Sequence, residues 1–354
     1  MDQATFRILD TLSRELGSTI SIRELTSKIR QYHGSAYYAR TYNKLNELSK
    51  QGLVTLNRAG RSWIPSLNFA DYALLDFLSE IELRKKREFI ERSKTLQLLL
   101  MDMEAYAHDN PHIESISLID PERNARLNRA ELLILLHGVG ANFLLRELIS
   151  INDTLRNLQS ARITRIDSLS LTAREFHALI VSDEINPLKE MLSGRITFHN
   201  PNSFWLNIAT ISRMSGKIKF EKEETNPAKI SEIDLHYNLS RFGYREFGIE
   251  IRDGRKICIE YIITAILMHG DARRSNAIPT ILAKNKANYS LLIFLSQKYA
   301  LSDKLLGLLK GLQKTKPDRN AAGAIRILED LGTKEIKVKQ RSIERTMRLY
   351  NAIG

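Results

Sequence analysis

A short segment near the N-terminus carries side chains suited to binding nucleic acid. Within residues 35–44, hydroxyl groups can bond phosphates, a guanidinium can bind a guanine edge or a phosphate, and a lysine supplies a point charge. These candidates are Ser35, Tyr37, Tyr38, Arg40, Thr41 and Lys44. Further along, Arg58 and Arg61 flank Ala59-Gly60, where a slim turn can reach a groove of DNA. The pattern predicts a surface that binds DNA.

The charge distribution favours the same function. The chain of 354 residues has a net charge of +12, and such an excess raises the local concentration of polyanions. Residues 1–66 contain ten lysine or arginine and five aspartate or glutamate residues. The positive charge is therefore concentrated around the candidate DNA-binding residues.

The composition excludes several other kinds of site. Cys258 is the only cysteine, so an intramolecular disulfide and a cysteine-based zinc site are both excluded. The eight histidines are scattered without HxH or HExxH spacing, and we expect neither a metal site nor a cofactor. No apolar run approaches the roughly 20 residues of a membrane span, and the N-terminal residues do not resemble a signal peptide. We therefore expect a cytoplasmic protein without membrane contact.

The elements that position the candidates are predicted by local signals in residues 1–69. Apolar residues at helical spacing predict a first helix, and Ser21 with Glu24 three residues later predicts a capped second helix. Gly52 is placed to end a third helix, and the alternation on both sides of residues 57–60 predicts two short strands joined by a tight turn. The predicted order is three helices followed by a two-stranded hairpin.

This order resembles the winged helix-turn-helix family of DNA-binding domains. The segment that carries the resemblance is TISIRELTSKIRQYHGSAYYARTYNKLNELSKQGLVTLNRAGRSWIPS, in which a Tyr/Arg-rich helix precedes Gly-Leu-Val and a hairpin that ends in aromatic-x-Pro. The resemblance implies that the third helix enters the major groove of double-stranded DNA while the hairpin, or wing, meets the backbone or the minor groove. On that helix Tyr42, Leu45 and Leu48 are spaced to pack inward, which leaves the candidates facing outward.

The remaining chain divides by its hydrophobic pattern. Residues 70–110 are predicted to form one long connecting helix, and residues 111–205 alternate strands with helices. The strands are predicted at residues 113–119, 130–138, 161–172 and 194–200, and the helices at residues 142–158 and 175–192. Residues 206–232 are predicted to be a linker, and residues 233–354 a mainly helical domain. The predicted fold class is α+β and multidomain, with a mixed sheet and helices at the centre.

The central segments ISLIDPERNARLNRAELLILLHG and RIDSLSLTAREFHALIVSDEINPLKEMLSGRITFHN resemble the minimal nucleotidyltransferase fold. That family holds a triphosphate at a Gly-Ser turn and binds two metal ions through three carboxylates. Here Asp120-Pro121-Glu122-Arg123 stands in place of the turn, and Arg129 and Glu131 stand at the first two carboxylate positions. The third carboxylate is kept as Asp167. The resemblance implies a degenerate domain with no catalytic residues, used for assembly or ligand sensing.

Two basic clusters outside the N-terminal segment leave alternatives open. Arg123, Arg126 and Arg129 can bind an anionic small ligand or form a solvated loop. The C-terminal helices resemble the segment that closes some archaeal proteins that pair a winged helix with a nucleotidyltransferase-like domain. The basic residues between 334 and 345 form either a solvated face or a second contact with the DNA backbone.

Three functions are consistent with the sequence. The first is a transcriptional regulator that binds an operator as a homodimer, with half-sites about one turn of DNA apart. The second is an active nucleotidyltransferase in which Glu131 and Asp167 hold metal and the winged domain selects the substrate. The third is an adaptor whose winged domain binds only protein.

Overall fold

The N-terminal unit has the predicted order of elements in a computed structural model that describes residues 1–138, 141–158, 165–215, 218–221, 223–246 and 253–353. Its helices and strands are α1 (Gln3–Arg14), α2 (Ile22–His33), α3 (Tyr38–Lys50), β1 (Val54–Ala59) and β2 (Ser62–Leu67). The two strands are antiparallel, and Ala59 pairs with Ser62 next to the turn. The prediction of three helices and a hairpin is confirmed.

A local capping signal explains where α2 begins. The Ser21 side chain accepts a hydrogen bond from the backbone N–H of Glu24, whose carboxylate accepts one from the Ser21 N–H at 2.7 Å. Inside the unit, Leu9 of α1, Leu25 of α2 and Leu45 of α3 are fully buried. The helices therefore pack on a common core, as their apolar spacing predicts.

The connecting segment consists of two helices, α4 (Ala73–Arg92) and α5 (Lys94–Asp109), so the prediction of one continuous helix over residues 70–110 is wrong. The chain leaves the helical conformation at Ser93, with φ of −124° and ψ of 85°. No proline or glycine occurs in this segment, so the local sequence carries no signal for the break. Both helices contact the last strand of the central sheet, and this packing requires the change of direction.

The central domain contains a four-stranded mixed sheet. Its strands are β3 (Ile113–Ile119), β4 (Arg129–Leu136), β5 (Arg165–Thr172) and β6 (Arg195–His199), in the spatial order β5-β4-β3-β6. Strand β3 is antiparallel to both β4 and β6, whereas β4 and β5 are parallel. The four predicted strands are confirmed, except that the predicted start of the third, before residue 165, lies outside the described residues.

Five helices connect and flank these strands. They are α6 (Pro121–Arg126), α7 (Ala141–Leu158), α8 (Ala173–Val181), α9 (Pro187–Ser193) and α10 (Pro201–Ser215). The sequence predicts one helix over residues 175–192, but α8 and α9 are separate because Pro187 starts a new helix that the Asn186 side chain caps. The prediction that a linker begins at residue 206 is also wrong, because α10 continues to Ser215. Ile208 and Ile211 are buried, and α10 packs on α4 and β3.

The C-terminal part is mainly helical, as predicted. A 3₁₀ turn at Pro227–Lys229 precedes α11 (Glu232–Arg241), α12 (Ile259–His269), α13 (Ala272–Ser275), α14 (Ile278–Lys284), α15 (Tyr289–Lys298), α16 (Ser302–Thr315), α17 (Arg319–Asp330) and α18 (Gln340–Leu349). Helix α15 packs on β5 and so joins this part to the sheet. The fold is mixed α+β with two small sheets, and no helix in the described ranges is long and apolar enough to cross a membrane.

A buried ionic network holds α4 against both α1 and the sheet. The Glu82 carboxylate accepts hydrogen bonds from the Thr197 N–H at 2.9 Å, from Lys85 Nζ at 3.2 Å and from Arg195 Nη2 at 3.4 Å. Lys85 also donates to the Arg195 carbonyl at 2.7 Å and lies 3.9 Å from Asp10. Burial lowers the pKa of Lys85, while Glu82 and Asp10 oppose that shift. The network therefore fixes the N-terminal unit relative to the central sheet.

Candidate nucleic-acid interface

Two arginines hold the turn that precedes α3. Arg7 of α1 donates from Nη1 to the Ser35 carbonyl at 3.1 Å, and Arg30 of α2 donates from Nη2 to the Ala36 carbonyl at the same distance. Gly34, which precedes Ser35 and Ala36, adopts a φ of +86°, and glycine accepts this conformation because it has no Cβ atom. The turn therefore sets the position of α3 on the first two helices.

The first turns of α3 present aromatic side chains to solvent. Tyr37 and Tyr38 are 65% and 52% exposed, and the Arg40 guanidinium carbon lies 5.5 Å from the centre of the Tyr37 ring. Tyr38 stacks on Tyr42, with ring centres 6.2 Å apart. Tyr42 is itself exposed, so the prediction that it packs inward is wrong. Rings held in this way can stack on or bond to an external partner.

Two predicted contact residues are engaged within the protein. Thr41 is buried, and its hydroxyl donates to the Tyr37 carbonyl at 3.1 Å, so the prediction that Thr41 faces outward is wrong. Lys44 lies 2.9 Å from an Asp2 carboxylate oxygen and 2.7 Å from one of Glu47, and it is only partly exposed. The inward face follows residues 41, 45 and 48, which match the helical period better than the predicted 42, 45 and 48.

The remaining predicted residues of this surface are exposed. Ser35 lies in the turn before α3, Arg40 lies in the first turn of α3, and Arg58 and Arg61 lie beside the hairpin turn. Arg58 pairs with Trp63 across the two strands, and Trp63 is 43% exposed. Trp63 was not predicted as a surface residue, although a tight turn at Gly60 pairs it with Arg58 on the opposite strand.

A groove of about 220 Å³ runs beside this surface. Arg7 and Ile8 of α1, Ser35 and Tyr37 of the turn, and Arg40 of α3 contribute to its lining. Arg7 therefore reaches the groove as well as the carbonyl that it holds. The groove is small for a drug-sized ligand, and its exposed neighbours are aromatic or basic.

The carboxylates that the sequence resemblance set at metal-ligand positions, Glu131 and Asp167, form ion pairs. The parallel register of β4 and β5 places Glu131 beside Asp167. Glu131 lies 3.0 Å from Arg129 and 3.3 Å from Lys298, and Asp167 lies 2.8 Å from Arg165. Each carboxylate is therefore neutralised by cations of the protein itself. Sequence reasoning missed Lys298 because α15 is far from the sheet in sequence.

Burial changes the acid strength of the carboxyl groups around these pairs. It raises the pKa of Asp167 above its usual range, although Arg165 opposes the shift. It also raises the pKa of Asp120, with a further contribution from Glu131. Glu224 behaves differently: burial acts to raise its pKa, but Lys298 and Arg123 outweigh burial and lower it. Across the described ranges, no group of three or more His, Cys, Asp or Glu residues is arranged to hold a metal ion.

Comparison with protein-family models, with curated proteins and with solved structures gives no match for this chain. The function is therefore inferred from the residues and their geometry alone.

Proposed function

We propose that this protein binds double-stranded DNA through the start of α3 and the β1–β2 hairpin, and that it acts as a transcription regulator. The observation that carries the proposal is an exposed surface that combines stacked tyrosines with arginines. No carboxylate in the described part of the chain pairs with Arg40, Arg58 or Arg61. Positive side chains without internal partners remain available to phosphates.

The exposed start of α3 supports a mode of binding in which the helix enters a groove of DNA. The major groove is about 12 Å wide, close to the diameter of a helix with its side chains. Arg40 lies on the exposed side of α3, where its guanidinium can form two hydrogen bonds to a guanine. The hydroxyls of the exposed Tyr37 and Tyr38 can bond phosphates. Lys44 contributes less, because Asp2 and Glu47 already neutralise its charge.

The hairpin supplies the second part of the surface. Arg58 and Arg61 lie on its two sides next to Gly60, which has a φ of +59°. This conformation makes the tip narrow, so the hairpin can approach the backbone or the minor groove. In this arrangement α3 provides sequence contacts and the hairpin provides mainly electrostatic ones.

The central domain is proposed to be a catalytically silent module that serves assembly or ligand sensing. The support is that the carboxylates Glu131 and Asp167 are neutralised by Arg129, Lys298 and Arg165. Binding of Mg²⁺ there would require these ion pairs to break. An active nucleotidyltransferase is the weaker alternative for this reason.

The regulator is proposed to bind DNA as a homodimer. Leu98 and Met101, one helical turn apart on α5, are 57% and 55% exposed. An exposed apolar pair of this kind can pack against its copy in a second chain. A dimer related by a two-fold axis requires half-sites about 34–36 Å apart on the DNA.

The decisive experiment is a fluorescence anisotropy titration of a labelled duplex pool at two salt concentrations. Arg40→Ala is expected to weaken binding about tenfold or more, since a good guanine contact contributes about 1–3 kcal/mol. The double variant Arg58→Ala/Arg61→Ala should reduce the dependence of affinity on salt by about two phosphate contacts. Arg174→Ala on α8 is the matched control, because it removes an exposed arginine of the central domain.

The outcome separates the possible partners. The proposal is wrong if the wild-type protein does not bind DNA, or if Arg40→Ala binds as well as wild type. Tyrosine, tryptophan and arginine also dominate protein–protein hot spots, and Tyr38 and Trp63 are exposed here. Absence of DNA binding would therefore favour the adaptor function, in which the same surface binds a protein partner with little dependence on salt.

A further inference from the structure

A cavity of about 640 Å³ lies where the N-terminal unit meets the central domain. Its walls come from α1, the end of α2, α4, α6 and the start of β6. The volume falls within the range of small-molecule sites, about 300–1,000 Å³. The cavity is separate from the paired carboxylates Glu131 and Asp167, which do not line it.

Positive side chains predominate in the cavity wall. Seven arginine or lysine residues line it, against four aspartate or glutamate residues. Most of these cations already have partners: Arg14 lies 3.1 Å from Asp10, and Arg123 lies 2.9 Å from Glu224. Arg92 has a weaker pair with Glu122 at 3.9 Å. The wall therefore keeps a positive excess after its internal pairs are formed.

Two arginines of the wall contribute to this excess. Arg7 donates from Nη1 to the Ser35 carbonyl, and Arg126 donates from Nε to the Glu122 carbonyl at 3.1 Å. Neither forms an ion pair with a carboxylate among the residues that the structure describes. The Nε–H of Arg7 is buried and has no hydrogen-bond partner in the described ranges. A buried donor without an acceptor is costly, so a movement of the Arg7 side chain that brings this N–H to an acceptor on a ligand would be favourable.

We propose that this cavity binds a small phosphorylated molecule, whose phosphate accepts hydrogen bonds from Arg7 and Arg126. A phosphate carries up to two negative charges and several acceptor oxygens, and guanidinium groups bind it through paired hydrogen bonds. Because Arg7 belongs to α1 and Arg126 to α6, the ligand connects the N-terminal unit to the central domain.

A ligand bound in the cavity would also affect the proposed DNA-binding surface. Arg7 lines both the cavity and the groove beside α3, and it holds the Ser35 carbonyl in the turn before that helix. A phosphate that attracts the Arg7 side chain weakens the hydrogen bond from Arg7 to the Ser35 carbonyl in this turn. This step rests on the proposed function, and it is measured separately as a change in DNA affinity when the ligand is present.

The test is isothermal titration of the full chain with inorganic pyrophosphate as the probe. Wild type should bind, and Arg7→Gln and Arg126→Gln should each weaken binding about tenfold or more, as expected for loss of a charged hydrogen-bonding partner. Arg87→Gln is the matched control, because Arg87 is an exposed arginine of α4 that does not line the cavity. Its affinity should stay within about twofold of wild type. Circular dichroism of each variant without ligand checks that it is folded, and Arg126 is exposed enough for its substitution to be tolerated.

Three results would overturn the proposal. The first is no binding of pyrophosphate by the wild-type protein. The second is an equal loss of affinity in Arg87→Gln and Arg126→Gln, which would mean that only overall charge matters. The third is displacement of pyrophosphate by duplex DNA with no effect of Arg126→Gln, which would assign the anion to the DNA-binding surface. If pyrophosphate binds as proposed and DNA is not bound at all, the ligand site stands while the proposed function fails.

Discussion

Replacement of Glu82 tests whether the buried ionic network holds the N-terminal unit against the central sheet. Glu82 has no exposed side-chain surface, and its carboxylate accepts hydrogen bonds from Lys85, Arg195 and Thr197. In Glu82→Gln the side-chain oxygen can still accept from the Thr197 N–H, but the charge that balances two buried cations is lost. Asp10 then remains 3.9 Å from Lys85.

The expected loss of stability follows from this geometry. Removing one partner from a buried ion pair leaves an uncompensated charge and costs about 3–5 kcal/mol. Glu88→Gln is the matched control on the same helix. It breaks a pair with Arg84 at 3.0 Å in which the Glu88 side chain is 42% exposed, and such pairs contribute about 1 kcal/mol or less.

The unfolding of this region can be followed by tryptophan fluorescence. Trp205 is fully buried, and its ring centre lies 4.6 Å from the Arg195 guanidinium carbon. The chain has two tryptophans, so Trp63→Phe gives a background in which only Trp205 reports. Urea titrations of both glutamine variants in that background give the two free energies of unfolding. A loss in Glu82→Gln no greater than in Glu88→Gln would refute the role given to the network.

Three further predictions concern single residues. Burial raises the pKa of Glu260 to about 6 from 4.5, so the folded state binds this proton more tightly than the unfolded state and stability falls as the pH rises through that interval. Glu260→Gln should therefore be about 2 kcal/mol more stable than wild type at pH 8 and equal to it at pH 4 in urea titrations, and an equal gain at both pH values would contradict this. At Gly17, where φ is +77°, an added Cβ would lie 1.8 Å from the Ile218 carbonyl oxygen, whereas at Gly60, with φ of +59°, it meets nothing within 4 Å. Calorimetry should show that Gly17→Ala melts well below Gly60→Ala, because Gly60→Ala loses only the stability of about 1–2 kcal/mol that a positive φ costs a residue with a Cβ atom. Equal melting points would disprove the contact. Thr41→Val should leave DNA affinity within about twofold of wild type, because the Thr41 hydroxyl is buried; a loss as large as that of Arg40→Ala, measured by anisotropy, would return Thr41 to the interface.

Local sequence signals were sufficient for most elements. The capping box at Ser21 and the apolar spacing of the first helices need only neighbouring residues, and the hairpin around Gly60 follows from strand alternation and one glycine. The strands of the central sheet are nearly continuous apolar runs, which are recognisable without any knowledge of their partners. Such features are decided within a few residues, so the sequence predicts them well.

Errors arose where packing decides between local alternatives. The inward face of α3 is shifted by one residue, from Tyr42 to Thr41, because the aromatic ring of Tyr42 suggests an apolar position although residues 41, 45 and 48 match the helical period better. The break at Ser93 has no local signal and follows from the contacts of α4 and α5 with β6. The helix that continues to residue 215 was predicted as linker, although buried Ile208 and Ile211 attach it to the core.

The sequence by itself determined the elements of the N-terminal unit, the strands of the central sheet, the excess of positive charge in residues 1–66, and the residue types available for binding. Only the tertiary structure decided which charges are free. Lys298 lies far from Glu131 in sequence but 3.3 Å from it in space, and Glu82 similarly meets Arg195. The physical reason is that an ion pair depends on the distance between two charged atoms, and that distance is fixed by the packing of elements remote in sequence.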